Sequence, residues 1–318
     1  MKSLLASIGK ISPLILAGGA VLGMVLPGLG NIIEAGIPLL VTLLLTTAMI
    51  RVDFQQVIAH LRRPIYMGLI LLFLMLVIPI TVHSLAHLFN LTPTLHIGLV
   101  LLFCAPPLAA SPSMAALLGL DDAMVLNIMV IGTLLVPLSA SLLGGTMLNF
   151  PIDLDVGALF LRLSLIISIS IITAFIIRHY TGRRWIAKNN DVLDGISALI
   201  MVVFAIVVMN GIGLSQGNYS WWIIKVFGIV CFANLGLHLL FSTICILLER
   251  FGNTAKFKVS KQNGAIALMA GNRNMALLLA ALPPEIVESL LLFIALYQLP
   301  IYFTPILATP FYRRFLVR

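Results

Sequence analysis

The chain alternates long apolar runs with short polar loops, ten times over. The runs cover about Ile11–Leu29, Ile32–Ile50, Ile65–Phe89, Leu95–Leu120, Ala123–Leu148, Val156–Ile177, Val192–Ile212, Trp221–Leu248, Gln262–Leu282 and Ile286–Leu307. About 20 apolar residues suffice for a helix to cross a bilayer. The pattern therefore predicts an all-α membrane protein of ten transmembrane helices. Lys2 and Lys10 before the first run resemble a leader, but the count of sides below works only if that run is retained as a span. Pro79 predicts a kink in the third span.

Two of the ten runs are interrupted. The ninth carries Gly271-Asn272-Arg273-Asn274 at its middle. An arginine at membrane depth costs at least ~2.5–3.5 kcal/mol, and glycine and asparagine weaken the helix around it. The fourth carries Cys104-Ala105-Pro106-Pro107-Leu108-Ala109-Ala110-Ser111-Pro112, whose three prolines remove backbone donors. Non-helical backbone at that depth must be buried in protein or line a watery cavity. Each run therefore predicts two half-helices meeting at a polar break. Met114-Ala115-Ala116-Leu117-Leu118 matches Met275-Ala276-Leu277-Leu278-Leu279 at four of five positions. Broken segments in corresponding positions of two halves point to a transporter site.

The loops set a topology. With the sides alternated from an inside N-terminus, sixteen of the nineteen Lys and Arg fall inside; Arg162, Lys225 and Arg273 remain. This positive-inside pattern predicts both termini in the cytoplasm, and the membrane expected is a bacterial inner membrane. Asn149–Asp155 is the midpoint, so residues 1–149 and 150–318 each hold five spans. An odd number inserts the second half upside down, which predicts two inverted repeats with spans four and nine as equivalents.

Composition agrees. Of 318 residues, 61% are hydrophobic and 9% charged, and mean hydropathy is +1.13. Soluble domains carry about a quarter charged residues. The net charge of +8 sits in loops beside apolar runs, so it reports topology and not a nucleic-acid partner. Cys104, Cys231 and Cys245 show no disulfide or metal spacing. No catalytic motif, cofactor motif or protein-partner signal accompanies the spans. The expected partners are the lipid bilayer and a small-molecule organic anion, and no enzyme activity is expected.

Ten spans, a five-plus-five inversion and breaks in spans four and nine resemble the bile acid:sodium symporter family. Phe103-Cys104-Ala105-Pro106-Pro107-Leu108-Ala109-Ala110-Ser111-Pro112-Ser113-Met114 is similar to that family's Cys-Pro-Gly-Gly-x-x-Ser-Asn-x-Met stretch, and Met269-Ala270-Gly271-Asn272-Arg273-Asn274 to its Glu-x-Gly-x-Gln-Asn stretch. The resemblance implies a panel domain and a core domain in which spans four and nine cross. It also implies departures. The family's sodium-site glutamate falls on Met269, its glutamine on Arg273 and its span-four asparagine on Pro112. Its hydroxyl positions in span five fall on Val125 and Met129, and a span-three glutamine on Leu74. These side chains offer no oxygen to a hard cation, so a carrier of organic anions without sodium coupling is expected. The alternatives are a sodium symporter with relocated ligands and a sensor that kept the fold but lost transport.

The candidate substrate or crossover residues are Arg273, Asn272, Asn274, Ser111, Pro112, Ser113, Met269, Asn127 and Thr133, and no metal or catalytic residue is among them. Arg273 has three readings: a strut paired with a buried carboxylate, a direct ligand for an anion, or a tethered cation where sodium would stand. Ser111, Ser113, Asn272 and Asn274 suit caps of the broken half-helices or anion contacts at their N-termini. Asn127 and Thr133 suit hydrogen bonds between helices. His83 and His87 suit the interface.

Overall fold

Apolar runs without water must satisfy their own backbone, and helices do so within one segment. In the computed structural model every regular element is helical among the residues it describes, which are 5, 7, 8, 12–25, 28, 34–52, 64–148, 155–209, 220–251 and 261–315. The linker at 149–154, the loop at 213–219, Asn210 and the loop cations Lys2, Lys10, Arg62, Arg63, Lys256, Lys258 and Arg318 lie outside the described residues.

In chain order the helices are α1 (Ser12–Val25), α2 (Ile37–Arg51), α3 (Pro64–Leu88), α4 (Pro93–Cys104), α5 (Ser111–Leu118), α6 (Asp122–Met147), α7 (Val156–Thr181), α8 (Arg183–Lys188) and α9 (Asn190–Met209). Next comes α10, which runs on through Ser220–Cys231, Phe232–Gly236 and Leu237–Phe251. Then follow α11 (Lys261–Gly271), α12 (Met275–Leu279) and α13 (Pro284–Phe315). Six of the described helices are long and apolar enough to cross a membrane: α3, α6, α7, α9, α10 and the first part of α13. Leu165, Ile169, Ile172 and Ile176 line one exposed face of α7. An apolar stripe of that length left uncovered suits lipid, not water.

The chain forms two compact units, and each takes segments from both halves of the sequence. The first comprises residues 1–52, 157–223 and 276–295. Within it Gly19 and Gly23, one turn apart on α1, let that helix approach α9, since a Cβ on either would meet Val202 or Ile206. Small residues at this spacing allow close helix contact in lipid. Polar bonds join α2 to its neighbours. Ser170 Oγ donates to the Thr42 carbonyl at 3.1 Å and Ser197 Oγ to Thr47 Oγ1 at 3.0 Å. Arg51 pairs with Asp194 at 2.6 Å.

The second unit comprises residues 53–156, 224–275 and 296–318, and it holds both breaks. Asp121 caps α6, accepting from the Met124 N–H at 2.9 Å, as acids at a helix start do. Gly119 ends α5 in the left-handed region at φ 74°, a conformation glycine adopts without cost. Two helices carry a π-turn, α3 at Phe73–Val77 and α10 at Phe232–Gly236. The first lies immediately before Pro79, where the sequence predicts a kink. Ile78 N–H reaches back five residues to the Phe73 carbonyl, and the proline follows inside a continuing helix.

Candidate functional site

The proline run ends α4 at Cys104, and the chain resumes as α5 at Ser111. The Asn272-Arg273-Asn274 run separates α11 from α12. The two unwound stretches meet. Pro107 and Arg273 form an isolated antiparallel bridge. Asn274 N–H donates to the Pro106 carbonyl at 2.8 Å, and Leu108 N–H to the Asn272 carbonyl at 3.0 Å. Each break thus satisfies backbone groups that the other's lost turn leaves open, which is the condition for non-helical chain at membrane depth.

Arg273 fills the junction and is fully buried. Its Nε donates to the Ala270 carbonyl at 3.2 Å, Nη1 to Ala105 at 3.3 Å and Nη2 to Leu74 at 2.9 Å. The guanidinium lies 5.7 Å from the centre of the Phe103 ring, within range of a cation–π contact. Among the described residues no carboxylate meets it, so of its three readings the carboxylate strut finds no partner, and carbonyls take that place. Ala105 and Ala270 stand at the C-terminal ends of α4 and α11, where helix dipoles place partial negative charge. Leu74 lies in the π-turn of α3, and its carbonyl's next donor in that ladder would be Pro79, which has no N–H. All three acceptors are therefore open, and all three attract a cation.

A ring of polar side chains holds the second break. Tyr297 accepts from the Arg273 N–H at 3.0 Å and donates to the Gly271 carbonyl at 2.5 Å. Asn234, in the π-turn of α10, donates to the Gly271 carbonyl at 3.0 Å and to Asn272 Oδ1 at 2.8 Å. Thr304 in turn donates to Asn234 Oδ1 at 2.9 Å. His238 pairs with the Tyr312 hydroxyl at 3.0 Å. Gly271 allows this closeness: a Cβ there would meet the Asn234 carbonyl and the His238 ring. Asn234, His238, Tyr297 and Thr304 are missed by the sequence reading. Their only sequence signal is a polar group inside an apolar run.

The other expected residues divide. Asn272 joins the ring through its side chain and the junction through its carbonyl, and Asn274 serves the junction through its backbone. Met269 is buried in the last turns of α11 and offers only sulfur. The serines do not cap: Ala110 is the N-cap of α5, Ser111 Oγ is buried without a partner, and Ser113 is exposed. Pro112 follows as a half-buried first-turn proline. Asn127 and Thr133 bond within α6 and not between helices, to the Ala123 and Met129 carbonyls, both at 2.8 Å. A side chain in apolar surroundings satisfies itself on the nearest carbonyl, four residues back. Asn127 Oδ1 stays buried and unpartnered. Gly132 brings α6 against the first break, since its Cβ would lie 3.2 Å from Pro107.

Discontinuous helices whose broken middles meet in a polar junction, in a chain of long lipid-compatible helices, define the class of membrane transporters. The family comparison is specific. The chain belongs to the Sodium Bile acid symporter family, whose model matches residues 38–216, more than half of its length. It is thus an integral membrane protein of a transporter family. The match includes the first break and stops short of Arg273. No curated protein matches the chain.

Proposed function

We propose that this protein is a carrier of small organic anions, bile-acid-like molecules or carboxylate and sulfate metabolites, that works without sodium. The observation that carries the reading is the Arg273 guanidinium on the Leu74, Ala105 and Ala270 carbonyls. Carbonyls at two helix C-termini make a site of the kind a cation fills. Here a covalently attached cation fills it. Leu74, Val125, Met129 and Met269, all buried, add no side-chain oxygen. Substrate contacts are assigned to residues at and beside the breaks: Ser111, Pro112, Ser113, Asn127, Thr133, Asn272 and Asn274. The buried and unpartnered Ser111 Oγ and Asn127 Oδ1 support a polar ligand beside them.

The same reading gives ten spans in two inverted repeats, 1–149 and 150–318, with both termini cytoplasmic in a bacterial inner membrane. The loop charges support it. So do the π-turns, which fall in the third span of each half, next to the broken fourth.

Flux into proteoliposomes tests the function. A labelled bile acid and a small labelled dicarboxylate are offered with sodium or with potassium outside. Saturable uptake of either anion at equal rates in both salts is expected. Uptake that needs sodium would show that the ion ligands have moved elsewhere in the chain.

A further inference from the structure

Three of the six histidines of this chain stand together, away from the breaks. His83 and His87 are four residues apart on α3, hence on one face of the helix. His96 comes from the first turns of α4. The ring centres lie 4.7 Å apart for His83–His87, 4.8 Å for His83–His96 and 4.7 Å for His87–His96. His96 Nε2 and His83 Nδ1 are 2.9 Å apart, and one nitrogen of each ring lies within 4.8 Å of the others.

We propose that His83, His87 and His96 form a binding site for a divalent late-transition metal ion of the Zn²⁺ type. The donor set selects the ion. Neutral imidazoles suit Zn, Cu, Ni and Co, whereas Ca²⁺ and Mg²⁺ require oxygen ligands. Tetrahedral zinc at ~2.0–2.1 Å from each nitrogen needs ligands ~3.3 Å apart. The observed separations bracket that value, so small ring rotations close the site.

The turn between the helices holds it ready. Leu91 N–H bonds the Ala86 carbonyl at 3.0 Å and Asn90 N–H the His87 carbonyl at 3.1 Å. Asn90 sits at φ 47°, in the left-handed region. Together these make the paired closure that ends a helix firmly. Pro93 then starts α4 at its first turn. The backbone that carries His87 and His96 is therefore fixed before any ion arrives.

An entry path exists. His87 is exposed, and a cleft of about 430 Å³ bounded by His87, Asn90, Leu91, His96 and Met147 opens beside it. Three protein ligands leave the fourth position of a tetrahedral ion for water or a small anion. A bound ion would pin the end of α3 to the start of α4. The far end of α4 is Ala105, whose carbonyl Arg273 holds, so the ion would stiffen the hairpin that leads to the junction.

The test uses the full-length chain in detergent. Co²⁺ is titrated first, then displaced by Zn²⁺. One Co²⁺ per chain with the visible absorption of a tetrahedral nitrogen-rich site is expected. His87→Ala and His96→Ala should each weaken Zn²⁺ binding by at least ~10-fold, the loss that even outer-shell partners cause. His179→Ala, on the exposed end of α7, should not change it. Should an alanine variant lose its folded profile, Cu²⁺ paramagnetic resonance of the wild-type chain decides instead, with coupling to three nitrogens expected. No saturable Co²⁺ spectrum in the wild type, or wild-type Zn²⁺ affinity in folded His87→Ala and His96→Ala, would overturn the proposal.

Discussion

Arg273 donates from Nη2 to the Leu74 carbonyl at 2.9 Å, across 199 residues of sequence. That carbonyl is open because of two local events: the π-turn sends Ile78 N–H to Phe73, and Pro79 brings no N–H to replace it. A defect in one helix thus becomes the seat of a charge from another. The same guanidinium reaches the carbonyls that end α4 and α11. Arg273 is therefore a positively charged clasp on three backbone acceptors.

This geometry sets the outcome of removing the side chain. Each hydrogen bond from a charged group contributes ~1.5–3 kcal/mol, against ~2.5–3.5 kcal/mol for holding one arginine at membrane depth. Three bonds outweigh one charge, so Arg273→Ala should lose about 1 kcal/mol or more. Arg273→Lys should fall between the two, since an ammonium lacks the planar fork. Added guanidinium should raise the melting temperature of Arg273→Ala and not that of the wild type. A scan in detergent checks this. An alanine variant as stable as the wild type and indifferent to guanidinium would refute the clasp.

The polar ring around Asn234 predicts a graded series. Asn234→Leu removes the donor to Gly271 and Asn272 and the acceptor of Thr304. Each buried group left unsatisfied costs ~1–3 kcal/mol, so this variant should be strongly destabilised. Thr304→Val should cost about 1 kcal/mol, because the single Thr304 hydroxyl proton is shared between Asn234 Oδ1 and the Pro300 carbonyl of its own helix. Equal melting temperatures for the two variants would show that the ring is not a connected network.

Gly271 should tolerate no side chain. A Cβ there lies 2.7 Å from two atoms of the His238 ring and still closer to the Asn234 carbonyl. Gly271→Ala must push α10 off α11, at the ~1–3 kcal/mol typical of overpacking. Gly68, with nothing within 4 Å of a Cβ, is the matched control. Gly68→Ala should melt like the wild type, and a Gly271→Ala protein that does so too would contradict the close approach.

The proposed topology makes a labelling prediction. Thr92→Cys, in the exposed turn between α3 and α4, should react with an impermeant thiol reagent in whole cells. Arg184→Cys, in the exposed helix α8, should react only after permeabilisation. The reverse order would invert the orientation.

The sequence alone determined what depends on local chemistry. Apolar length fixed where helices form, because a segment in lipid must pair its own backbone. Three prolines, and a glycine with two asparagines around an arginine, fixed where two spans break. The tertiary structure decided what fills those breaks. No local rule says that Arg273 takes carbonyls in place of a carboxylate, since Leu74 and Ala105 lie 199 and 168 residues away. The π-turns in α3 and α10 were equally hidden: one extra residue in a turn leaves the apolar pattern unchanged and shows only in which carbonyls remain open. His96 gave no sign of joining His83 and His87, because the helical period relates positions on one helix and not on two. Composition and periodicity set the elements. Which donor meets which acceptor was settled only when packing brought the distant Leu74 and Ala105 carbonyls to 2.9 and 3.3 Å from one side chain.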